Sequence, residues 1–233
     1  MKKFLTAKWN DLVMANYEVA PETLADRVPN GVTLDFHDGK CFVSVVAFMF
    51  LDTRVLGVPV PFHINFEEVN LRFYVKREMP EEVRRGVVFV KEIVTRFAIA
   101  TVARVFYSEP YEAWKMSHAK KENELIYAWW KHDDAHSVKI EIGENLGVPA
   151  MDSHGEFIIE HYWGYTKRGA VRTDEYKVEH PKWELFDVTN YEIKLDFGKL
   201  YGAEFAFLNN EKPHSVFMAK GSEVAVYKGA KIT

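Results

Sequence analysis

Cysteine is almost absent from this 233-residue chain: Cys41 stands alone. One cysteine excludes an internal disulfide framework and fits a reducing compartment. At the head of an apolar run it reads as a small core residue rather than a nucleophile. Long apolar runs are missing too, since no stretch of 18 apolar residues occurs, which excludes a membrane-spanning helix. Met1-Lys-Lys-Phe-Leu imitates the charged start of a signal peptide, but Lys8, Asn10 and Asp11 interrupt the apolar region that should follow. The expected location is the cytoplasm. Charge of one sign is also lacking. Thirty basic against 34 acidic residues give a net charge of −4, and no block of five like charges occurs, so neither nucleic acid nor a membrane is an expected partner. Glycine-rich dinucleotide and phosphate loops are absent, as is Gly-x-Ser-x-Gly, and no cofactor is expected.

What the chain has is apolar and aromatic mass, at 48% and 15% of residues, enough for one substantial core. Cys41–Phe50 is almost continuously apolar and rich in Val and Phe, which suits a strand buried on both faces. Further β-type runs lie at 65–76, 86–94, 125–131, 138–142, 157–165, 171–179, 191–195 and 224–227, giving about nine strands with no βαβ spacing and no repeat. Pro21–Val28 reads as a short amphipathic helix closed by Pro29-Asn-Gly31, and 96–107 as a helix ending before Pro110. The fold class expected is mainly β (α+β), an antiparallel barrel with two or three short helices.

Five segments carry a resemblance. They are Tyr17-Glu-Val-Ala-Pro through Val28-Pro29; Phe66-Glu-Glu68; Arg104 followed after five residues by Pro110-Tyr111-Glu112; Glu160-His-Tyr162-Trp-Gly-Tyr165 through Arg168; and His180-Pro-Lys-Trp183. In order and spacing they resemble the YqjF-like branch of the acetoacetate decarboxylase-like superfamily, over nearly the whole chain. The resemblance implies a single domain spanning 1–233 and the barrel of that superfamily, and it suggests a homo-oligomer. In acetoacetate decarboxylase the residues after the proline are two lysines, the first of which forms a Schiff base; here Tyr111 and Glu112 stand in their places. A second cavity glutamate of the decarboxylase falls near Ser44, and its N-terminal arginine near Asn10, with Lys8 the nearest cation. The branch implies a fold more than a reaction.

A Schiff-base amine must be partly deprotonated at neutral pH, which burial and a neighbouring cation achieve. Tyr111-Glu112 supplies neither. Lys120-Lys121 lies in a polar run that reads as a solvated hairpin, and Lys115 is out of register. The chain is therefore not expected to be a Schiff-base decarboxylase. The resemblance turns Glu68 towards the cavity, and period two puts Asn70, Arg72 and Tyr74 on the same strand face, which either lines a polar cavity or faces solvent. Arg104, in an apolar helical pattern, needs a carboxylate such as Glu68, Glu112 or a ligand's, or serves a structural ion pair. The candidate ligand-binding residues are thus Glu68, Arg104, Tyr111 and Glu112, with Glu68, Glu112 and Tyr111 the candidate catalytic groups. The expected ligand is a small, partly apolar acid or carbonyl compound. Two alternatives stand beside binding: lyase, isomerase or hydratase chemistry on a small carbonyl acid, or a structural or regulatory protein with no ligand. His132-Asp133-Asp134-Ala-His136 has metal-like spacing but reads as a hairpin turn, and no metal is expected. Trp129, Trp130, Trp163 and Trp183 read as packing rather than stacking platforms.

Overall fold

The computed structural model describes residues 2–59, 63–95 and 110–232. The chain opens with strand β1 (Lys3–Val19), passes through two short 3-10 turns at Pro21–Thr23 and Ala25–Arg27, and continues with β2 (Thr33–Leu34), β3 (Cys41–Val55), β4 (Val58–Pro59), β5 (Phe66–Glu78) and β6 (Val83–Val94). After Pro110 come β7 (Tyr111–Ala113), β8 (Lys115–Lys121), β9 (Glu124–Lys131) and β10 (Asp134–Gly147). A short helix α1 (His154–Ile159) leads to β11 (Trp163–Arg168), β12 (Arg172–Glu179) and β13 (Leu185–Lys194). Helix α2 (Phe197–Tyr201), a 3-10 segment Ala203–Asn210, β14 (Ser215–Tyr227) and β15 (Ala230–Lys231) complete it.

Hydrogen-bonded pairs run in the order β12-β11-β6-β5-β3-β1-β14, and Val178 and Glu179 of β12 then pair with Val226 and Ala225 of β14. That last pairing closes a circuit of seven strands, a barrel with no free edge along the ring. Every contact in the ring is antiparallel except the short β6–β11 one, which is parallel. From β14 the sheet continues through β13, β10, β9 and β8, which fold back over the barrel's outer face. Mainly β, with short helices, is therefore the class observed, as the alternating apolar runs suggest.

β1 lies at the centre, antiparallel to β3 on one side and β14 on the other. A bulge at Asp11, whose φ is 54°, bends it around the barrel, and Gly221 of β14, at φ 79°, lies opposite. A Cβ on Gly221 would stand 2.1 Å from the Trp9 carbonyl oxygen. The central strands are buried on both faces. Val13, Ala15, Val43, Val45, Leu71 and Phe73 point into the outer core under β8–β10 and α2. Leu12, Met14, Phe42, Val46, Phe48, Phe66 and Tyr74 fill the barrel interior.

Three expectations are corrected. Pro21–Arg27 forms two 3-10 turns in place of an amphipathic helix, because two turns of chain are too short to gain from helical propagation. Residues 157–165 are not one strand: Phe157-Ile-Ile159 ends α1, whose Ser153 caps the Glu156 N–H at 3.2 Å. The expected helix at 96–107 lies outside the described residues. Fifteen strands are described where about nine were expected, since β1 and several short pairing segments carry no alternation of polar and apolar residues. No helix among the described residues is long and apolar enough to cross a membrane.

Candidate functional site

Inside the ring lies a cavity of about 110 Å³. Its floor is aromatic. Phe48 packs 5.2 Å from both Trp9 and Phe50, and Phe50 stacks on Phe66 at 4.7 Å. Trp183 lies 6.1 Å from Trp9, is stacked on His180 at 4.0 Å, and donates its Nε1–H to Ser222 Oγ at 2.8 Å. Gly164 is demanded by this packing, since a Cβ there would sit 2.1 Å from Cζ of Tyr176, another wall residue.

One wall is polar, and β5 builds it. Its inward side chains are Glu68, Asn70 and Arg72, two residues apart as the pleat requires. Glu68 is 2% exposed; Asn70 donates to its Oε1 at 3.0 Å and Tyr111 to its Oε2 at 3.3 Å. Burial pushes the Glu68 carboxyl up to about 7, against the opposing pull of those two hydrogen bonds and the Arg72 charge. Arg72 donates from Nη2 to the Ile158 carbonyl at 3.1 Å, and its guanidinium lies 5.6 Å from the Tyr74 ring centre. Glu92 of β6, 1% exposed, places a second carboxylate on the wall, where β6 runs parallel to β7 and pairs with Tyr111.

A third group completes the wall. His161, which follows α1, rests between the rings of Tyr74 at 4.7 Å and Phe157 at 5.2 Å. Its Nε2 lies 3.2 Å from Asp35 Oδ2, which also accepts from Arg85 Nε at 2.7 Å. Burial drives the imidazole down to about 4 despite the Asp35 bond. Burial works to raise Asp35, but the hydrogen bonds from His161 and Arg85 outweigh it and hold the carboxyl below the usual range. Four polar atoms on cavity residues, Trp9 Nε1, Asn70 Oδ1, Arg72 Nε and His161 Nδ1, are buried with no hydrogen-bond partner among the described residues. Such atoms are costly unless a binding partner satisfies them.

Of the residues singled out from the sequence, Glu68 and Tyr111 are brought together on the cavity wall. Glu112 is not with them. As the next residue of β7 its side chain leaves the opposite way, to Lys91 at 3.0 Å, Lys131 at 3.0 Å and the Trp114 Nε1–H at 2.8 Å. Burial would raise its carboxyl, but those three donors hold it down at about 2. A carboxylate so paired is not free to act on a ligand in the barrel. Arg104 lies outside the described residues. Ser44 is buried below the cavity, bonded to Asn16 at 2.6 Å and Tyr74 at 2.6 Å. Lys120 pairs with Asp11 at 2.6 Å, Lys115 packs over Trp130, and no described lysine lines the cavity. His132 and Asp133 form the β9–β10 turn, and among the described residues no cluster of His, Cys, Asp or Glu could hold a metal.

Sequence reasoning missed Glu92, Asp35 and His161. Glu92 carried a weak signal, the only acid in an apolar strand whose other central charge is its neighbour Lys91. His161 lay within the Glu160–Arg168 segment that carries the resemblance, but its role depends on Asp35, 126 residues away.

Comparison with known proteins agrees with this architecture. Residues 6–223 match the DUF2071 family, described as an uncharacterised conserved protein. The chain is 26% identical over 182 residues to the uncharacterised protein YqjF of Bacillus subtilis, covering 76% of this chain and 73% of that one. Acetoacetate decarboxylase from Legionella pneumophila superposes with a TM-score of 0.74 at 11% identity, over 100% of this chain and 88% of that one. The enduracididine biosynthesis enzyme MppR, solved with the condensation product of pyruvate and imidazole 4-carboxaldehyde, superposes at 0.70 with 10% identity, over 99% and 90%. At such identities these two structures share the fold alone.

Proposed function

The chain belongs to the DUF2071 family and has the acetoacetate decarboxylase-like fold, and from that premise we propose that it binds a small, partly apolar acid or carbonyl compound in its barrel cavity, without a Schiff base. The observation that carries this reading is the set of four unpartnered polar atoms in a cavity with an aromatic floor and one polar wall. Two are donors, Trp9 Nε1 and Arg72 Nε, and two are acceptors, Asn70 Oδ1 and His161 Nδ1. An aromatic or branched acyl group fits the Phe48, Phe50 and Phe66 side, while a carboxylate or carbonyl oxygen meets Arg72. The superposing structures lend support, since one is an acetoacetate decarboxylase and another holds the condensation product of pyruvate and imidazole 4-carboxaldehyde.

Absence of an amine supports the non-covalent half of the reading. No described lysine lines the cavity, and segments 60–62 and 96–109 contain none. Incubation with acetoacetate and borohydride should leave every lysine unmodified by mass spectrometry; a stoichiometric lysine adduct would restore decarboxylase chemistry. Binding itself is tested by thermal-shift screening of keto and aromatic acids. A stabilising acid whose effect is lost in Arg72→Met supports the proposal, and a panel that shifts nothing sinks it.

A second reading rests on Glu68. A buried carboxyl titrating near 7 beside a tyrosine hydroxyl is placed to give or take a proton from a carbonyl acid. Turnover of a bound carbonyl acid that Glu68→Gln leaves intact would exclude that role.

A further inference from the structure

Resting on the reading of the cavity as an acid-binding site, we infer that His161 Nδ1 is a hydrogen-bond acceptor for the ligand, so that the ligand class is narrowed to acids carrying an O–H or N–H donor, such as hydroxy acids or enols. Asp35 Oδ2 already accepts the Arg85 Nε–H at 2.7 Å, and a carboxylate in that ion pair can only accept from His161 Nε2, 3.2 Å away. The single proton of a neutral imidazole is therefore fixed on Nε2, and Nδ1 is left with a lone pair. Burial keeps the ring neutral, its side chain being 1% exposed.

The ring cannot turn away from the cavity. Tyr74 and Phe157 clamp it at 4.7 and 5.2 Å, and Arg85, stacked at 5.0 Å over Phe157, fixes Asp35 from behind. Nδ1 is buried, no described residue donates to it, and the residue lines the cavity. Around it the remaining unpartnered atoms divide by chemistry. Arg72 Nε and Trp9 Nε1 can only donate, so they suit the oxygens of an acid; Nδ1 of this tautomer can only accept, so it suits a hydroxyl or enol hydrogen. An acid without that hydrogen leaves Nδ1 unsatisfied, and a site built to accept a hydrogen bond rejects the analogue that lacks the donor.

Isothermal titration of the full-length protein with phenylacetate and with each enantiomer of mandelate tests the inference. One mandelate enantiomer should bind about tenfold more tightly than phenylacetate, the value of one hydrogen bond. In His161→Phe, whose ring fits between Tyr74 and Phe157, the two acids should bind within about twofold of each other. Equal affinities in the native protein, or a preference that survives His161→Phe, overturns the inference. If phenylacetate and mandelate both fail to bind, the cavity reading itself is contradicted. The ligand-free protein then still decides the histidine: 15N NMR should show His161 protonated at Nε2 and bare at Nδ1 between pH 6 and 8, and a proton at Nδ1 would refute the assignment.

Discussion

Glu68 is held by Asn70 and Tyr111 yet titrates near 7, because burial costs its charge more than those bonds return. In the unfolded chain it titrates at the ordinary carboxylate value, so between about 4.5 and 7 the folded state holds a proton that the unfolded state has released. Stability is therefore full below the ordinary value and falls as pH rises towards 7, by about 3 kcal/mol at about 1.4 kcal/mol per pH unit. Glu68→Gln removes the ionisation while keeping an acceptor for Asn70 and reversing the Tyr111 bond, the amide donating to the phenol oxygen. Urea denaturation of this variant should show a flatter pH profile and a stability above native at pH 8; a variant less stable than native at pH 8 refutes the buried-carboxyl assignment. Glu112 behaves in the opposite sense. Its carboxyl is held at about 2, so its contribution is present above the usual carboxylate range and is lost as pH falls towards 2. About one-third exposed and screened by solvent, it should cost no more than about 1 kcal/mol as Glu112→Gln and leave ligand binding unchanged by titration calorimetry. Strand register alone left the Glu68 face open between cavity and solvent and the resemblance turned it inward, while Glu112 leaves the other way because neighbouring side chains of a strand point to opposite faces.

Barrel closure depends on a short element contact. β6 and β11 meet in parallel through Gly86 opposite Trp163 and Val87 opposite Gly164, and a Cβ on Gly86 would stand 2.5 Å from the Trp163 carbonyl oxygen. Backbone cannot yield there as a flexible side chain could. Gly86→Ala should destabilise by about 2 kcal/mol or more in chemical denaturation, and an unchanged midpoint would contradict the close approach. Elements with a marked pattern were legible in the sequence: β3, β5, β6, β9 and β12 fall near their expected ranges. β1 was not, because Leu12 and Met14 face the interior while Val13 and Ala15 face the outer core, leaving no polar alternation to read. α1 was mistaken for strand because Phe157-Ile-Ile159 is a short apolar run common to both, although Ser153-His-Gly-Glu156 carried the spacing of a capping box.

At the scale of the molecule, a ring of seven strands encloses an aromatic space with one polar wall, and an outer layer of β8–β10 with α2 seals the far face of the same strands. The fold was legible through five spaced segments taken together, whereas the rest of the polar wall was not, since Glu92 and His161, with Asp35 behind the histidine's Nε2, are joined to β5 only through the fold. Glu68 and Glu92 both line a site whose described cations are few, so an anionic ligand at Arg72 is best accommodated with Glu68 protonated. Binding should then take up a proton and weaken as pH rises through 7. The most direct measurement is calorimetric titration of the tighter-binding mandelate enantiomer at pH 6.5 and 8.5 in two buffers of different ionisation enthalpy. The account expects one ligand per chain, proton uptake above pH 7 and tighter binding at pH 6.5; no binding, or binding with equal affinity and no proton uptake, would contradict it.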